Sequence, residues 1–87
     1  MWWVIVEEQR GGDARAWNVT KTKPVGADRE HVGEVARRLA FSHEPVHPPA
    51  VKERKVLRLA DGYLVIGTGP MAKCHFRVTL GHRVVTP

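Results

Sequence analysis

Val32-Gly-Glu-Val-Ala-Arg-Arg-Leu-Ala40 is the stretch that decides the fold. Val32, Val35, Ala36, Leu39 and Ala40 fall at i, i+3, i+4, i+7 and i+8, one apolar stripe along a helix. Asp28 is placed to cap its start by accepting an unpaired backbone N–H, and Glu30 lies in the first turn, where the helix dipole favours negative charge. Glu34 and Arg38 are spaced to pair one turn apart, and Pro45 forces an end by Ser42 to Glu44. Gly33 weakens the helix by about 1 kcal/mol relative to alanine, so the helix depends on a sheet to pack against.

The flanking segments read as strands. Trp2 to Glu8 is the first, Gln9 to Asp13 is a turn built on Gly11 and Gly12, and Arg15 to Lys21 is the second. Pro24 and Gly26 end that hairpin before the helix. After it, Val46 to Arg54 is a loop stiffened by Pro48-Pro49. Lys55 to Ala60 and Tyr63 to Gly67 then form a hairpin about the type I′ signal Asp61-Gly62. Gly67-Thr-Gly-Pro70 turns the chain into a last strand, Ala72 to Leu80; Gly81 breaks or kinks it, and His82 to Pro87 adds a short strand or trails off. The order is ββαβββ. The expectation is a single α+β domain over residues 1–87, a two-layer fold with an antiparallel sheet of about five strands and one helix on one face.

One helix leaves one sheet face open. Cys74, Phe76, Val78 and Leu80 alternate with Lys73, His75, Arg77 and Thr79, so the apolar set is assigned to the helix side. By the same parity Leu57 and Leu59 go inward and Val56, Arg58 and Ala60 outward; Trp17 and Val19 go inward, Asn18 and Thr20 outward. Trp2 and Trp3 must face opposite ways, one buried against Leu39 or Val35 and the other on the open face. The candidate partner-binding residues are Trp2, Arg58, Tyr63, Lys73, His75 and Arg77, aromatic rings among cations. Such a face suits a protein contact, including a second copy of the chain. Stacked bases and held phosphates make nucleic acid the alternative.

The chemistry that would make an enzyme is thin. His43 and His47 have a His-x3-His spacing, but Pro45 between them destroys helical alignment, and Cys74 and His75 point to opposite faces, so no metal site is assigned. Cys74, in phase with Phe76 and Val78, reads as a small buried hydrophobe and not a nucleophile. Gly67-Thr-Gly-Pro lacks the lysine and following helix of a phosphate loop, and Pro48-Pro49 lacks the full context of an adaptor ligand. Lys52, Arg54, Lys55 and Arg58 read as a solvated loop entering an edge strand. No carboxylate pair stands out.

Fourteen Lys and Arg against nine Asp and Glu give a net charge of +5, which attracts polyanions without specifying a fold. A lone cysteine excludes an internal disulfide and fits a reducing compartment. The apolar run from Trp2 to Val6 ends at Glu7-Glu8, too short for a signal peptide or a membrane span.

Trp3-Val-Ile-Val-Glu-Glu, Ala16-Trp-Asn-Val, Val35-Ala-Arg-Arg-Leu-Ala40, Ala60-Asp-Gly-Tyr-Leu-Val65 and His75-Phe-Arg-Val78 together resemble a group of short, functionally uncharacterised actinobacterial cytosolic proteins. The resemblance covers most of the chain and implies a complete cytosolic protein; it transfers no functional residue. The expectation is therefore a cytoplasmic, non-catalytic binding module with no cofactor, no small-molecule substrate and no membrane partner. Its contact surface is the helix-free sheet face.

Overall fold

The apolar run of the first strand and the helical stripe find each other in the computed structural model, which describes residues 1–10, 16–45, 51–69 and 73–84. The strands are β1 (Trp2–Arg10), β2 (Ala16–Gly26), β3 (Glu53–Leu59), β4 (Gly62–Thr68) and β5 (Lys73–His82), with α1 (Arg29–Ser42) between β2 and β3. They form one antiparallel sheet in the order β2-β1-β5-β4-β3. The two edge strands run in the same direction, so the chain must cross the sheet between them, and α1 is that crossover.

Val4, Val6, Val65, Phe76 and Val78 from the sheet and Val32, Ala36 and Ala40 from the helix are fully buried. Val35 and Leu39 pack at the margin with Trp2, Val25, Val56, Tyr63 and Leu80. The helix begins as the sequence requires: Asp28 Oδ1 accepts from the Glu30 backbone N–H at 3.0 Å, and Arg38 Nε donates to Glu34 at 3.3 Å. Its other end is held by the sheet. Glu8 is in phase with Val4 and Val6 and is 97% covered; its Oε2 lies 2.9 Å from Nε2 of His43, the C-cap residue, whose ring meets Phe76 edge-on. Arg54 of β3 donates to the Ala40 carbonyl oxygen at 3.3 Å and to Glu44 at 3.1 Å, supplying a cation where the helix dipole is negative.

Three expectations about local breaks are corrected. Pro24 does not end the second strand, because β2 is an edge strand where a missing N–H is tolerated, and pairing continues to Gly26. The tight turn is Ala60-Asp61, since Leu59 pairs with Gly62; Gly62 opens β4 instead, where a Cβ would collide with the Val78 carbonyl. Gly81 and His82 continue β5 opposite Trp3 and Trp2. The expected turn over Gly11 to Asp13, the Pro48-Pro49 loop, His47 and the end from Val85 onward lie outside the described residues.

Two glycine substitutions should have opposite signs. A Cβ at Gly33 meets no atom within 4 Å, so Gly33→Ala is expected to stabilise the fold by about 1 kcal/mol in urea titrations. Gly62→Ala, with backbone in the way, should destabilise it by roughly 2 kcal/mol or more.

Candidate interaction surface

Ladder pairing brings residues from all five strands into rows across the helix-free face. One row runs Val19, Glu7, Arg77, Leu64, Leu57; the next runs Trp17, Gln9, His75, Ile66, Lys55. Toward the other end Thr22, Ile5 and Thr79 share a level, then Pro24, Trp3 and Gly81. The face is largely apolar. Val19 is 59% exposed, Leu57 41% and Leu59 38%, while Trp3, Ile5, Trp17, Leu64 and Ile66 are partly covered.

Arg77 occupies the centre. Its Nε and Nη2 donate to Glu7 Oε1 and Oε2 at 2.9 and 3.2 Å, and its guanidinium lies 4.3 Å from the centroid of the Trp17 ring. This two-pronged, stacked arrangement suits the planar guanidinium. Donating to the Glu7 carboxylate raises the Arg77 pKa further, so the group is a fixed cation already matched by an anion.

Several inward and outward assignments are reversed. Trp17 and Val19 face out and Asn18 lies on the helix side, because the register slips between Val6 and Glu7. Thr20 is the unpaired extra residue there, its hydroxyl donating to the Val6 carbonyl at 3.4 Å. Val56 packs on the core while Leu57 and Leu59 are exposed. Among the candidate residues, Lys73, His75 and Arg77 lie on the open face; Trp2, Arg58 and Tyr63 do not. Tyr63 and its cross-strand neighbour Arg58 are in phase with Val65 and the helix side. Trp2 packs at the core margin, with the Arg29 guanidinium 5.7 Å from its ring centroid and His82 edge-on. Trp3 takes the outer position. The expected basic face is thus an apolar one, because both faces of β1, β3 and β4 carry large aliphatic or aromatic side chains and parity alone cannot rank them.

At the Trp3 end, Trp3, Ile5, Thr22, Gly81, His82 and Arg83 line an open groove of about 520 Å³. Gly81 shapes its floor: a Cβ there would come within 2.9 Å of Ile5 Cδ1. The Trp3 indole N–H is buried and meets no acceptor among the described residues.

On the helix side Cys74 is 4% exposed, packed against Gly67, and His75 points to the other face. Burial raises its pKa above the ordinary thiol value of 9.0, with Glu8 and Glu44 adding to the effect and Gly67 and Arg54 opposing it. No three His, Cys, Asp or Glu side chains among the described residues are grouped to hold a metal ion, and no described helix is long and apolar enough to cross a membrane. The chain matches no family model, no curated protein and no solved structure.

A thiol with a raised folded pKa stabilises the fold fully below its unfolded pKa, and that contribution is lost as pH climbs toward the folded value. Thermal melts between about pH 8 and pH 10 should therefore show a smaller alkaline fall in Tm for Cys74→Ala than for the parent chain. Alkylation of Cys74 should also be roughly a hundredfold slower in buffer than in urea.

Proposed function

We propose that this chain is a non-catalytic protein-binding module whose contact surface is the helix-free sheet face. The observation that carries the reading is the apolar sheet surface from Trp3 and Ile5 across to Leu57, Leu64 and Ile66, with its central cation internally neutralised. Contiguous apolar surface of this kind is uncommon on monomers and marks contacts with other proteins. A phosphate backbone would find less here. Arg77 is engaged with Glu7 and lies over the Trp17 ring, and Trp2 and Tyr63 are on the helix side, so of the aromatic rings on the face Trp3 is the one not already stacked by a cation. The one thiol is buried and protonated at neutral pH, which favours binding over nucleophilic chemistry.

Photo-crosslinking side chains placed at Leu57 and Ile66 test the reading, with Arg38 on the exposed side of α1 as the control. A single protein adduct of the same mass from both sheet positions, and none from Arg38, is the expected outcome. Absence of protein adducts from the sheet, or salt-sensitive capture of nucleic acid in their place, would overturn it.

A further inference from the structure

We infer that the occupant of this face is a second copy of the chain, packed sheet against sheet about a two-fold axis along β5. The inference rests on the protein-contact reading above and names the partner. Charge, area and the division of the face support it.

The chain carries a net +5, so two copies repel unless they meet through a surface close to neutral. The helix-free face carries less net charge than the chain as a whole. Arg77 is cancelled by Glu7, Glu53, Lys55 and Lys73 sit toward one end with opposite signs among them, and Arg83 lines the groove at the other end. Arg29, Arg37 and Arg38 lie on α1, and Arg58 on the helix side of β3, so each copy would present its basic side away from the contact. An acidic partner would be drawn to that basic side and would leave the apolar sheet uncovered.

The area is sufficient. Five strands about 4.8 Å apart, rising about 3.3 Å per residue, make a face roughly 20–25 Å on a side, or about 600–700 Å² per copy with side-chain relief. Doubled, this enters the range of about 1,200–2,000 Å² found for stable interfaces.

The face also divides into complementary halves. On the β1–β2 side lie two indoles and the groove beneath Trp3; on the β3–β4 side Leu57, Leu59 and Leu64 stand out. A two-fold axis parallel to β5 keeps each row level and exchanges the halves. Leu57 then meets the row of Val19 and Val19 that of Leu57, while Leu59 comes opposite the groove wall at Ile5 and Thr22. This is the self-complementarity an isologous contact requires. The stacked Arg77 leans toward Trp17, off the axis, so the two guanidinium groups diverge.

Sedimentation of the full chain over a concentration series tests the proposal. A species of twice the 9.8 kDa chain mass should form with a dissociation constant of about 10 µM or tighter. Leu57→Lys, at an exposed position, should keep the circular dichroism of the parent and weaken association at least ~10-fold. A mixture of Val19→Cys and Leu57→Cys chains should oxidise to a covalent dimer more readily than either alone, Cys74 being buried. A chain that stays monomeric at ~500 µM, a Leu57→Lys variant that associates unchanged, or Val19→Cys chains that crosslink as well alone as mixed would overturn the proposal. Should Leu57→Lys fail to fold, the mass series and the cysteine pairs still decide. A monomeric chain whose sheet face crosslinks to a different protein overturns self-association and leaves the protein-contact reading standing. No crosslink from the face removes both.

Discussion

A five-stranded sheet has two faces, and this chain places one fourteen-residue helix against it. The packing of α1 on β1, β5 and β4 is the interaction on which the rest depends. It buries Val32, Ala36 and Ala40 against Val4, Val6, Val65, Phe76 and Val78, and it has to lie there because it links two edge strands that run in the same direction. Everything that faces α1 becomes core. Among the described residues no helix or strand packs on the other side of the same strands, whatever the hydrophobicity of the side chains there.

The helix is weakly specified by itself, with Gly33 in its middle, and the sheet holds it at both ends. Near its start Arg29 lies over Trp2; near its end Glu8 reaches His43, and Arg54 reaches Ala40 and Glu44. The polar contacts at the C-terminal end involve a buried carboxylate, which is expensive to place in a core unless it is hydrogen-bonded. Glu8 shares the phase of Val4 and Val6, although a carboxylate by itself favours solvent. The clue was the phase, and it outweighs composition where a cap residue of the helix can reach across.

The strands, the helix with its Asp28 cap, and the burial of Cys74 follow from periods visible along the chain. The faces were harder. The alternation in β5 is clean, and its assignment stands because polar residues occupy every second place from Lys73 to Thr79. In β3 and β2 the larger apolar residues, Leu57, Leu59, Trp17 and Val19, pointed to the wrong side, since hydrophobicity marks burial only when one face alone is apolar. One extra residue at Thr20 reverses the facing of half of β2, and nothing in the local composition announces it.

By itself, then, the sequence determined the number and order of the elements, the amphipathic helix that must rest on a sheet, and the fact that Trp2 and Trp3 diverge. Those properties are local, set by the 3.6- and 2-residue periods. Only the tertiary structure decided which indole faces out, that Arg77 is paired with Glu7 and stacked on Trp17, and that the uncovered face is apolar where a basic one was expected. Those outcomes depend on strand register and on pairings distant in the chain, seventy residues apart between Glu7 and Arg77, which no local period encodes.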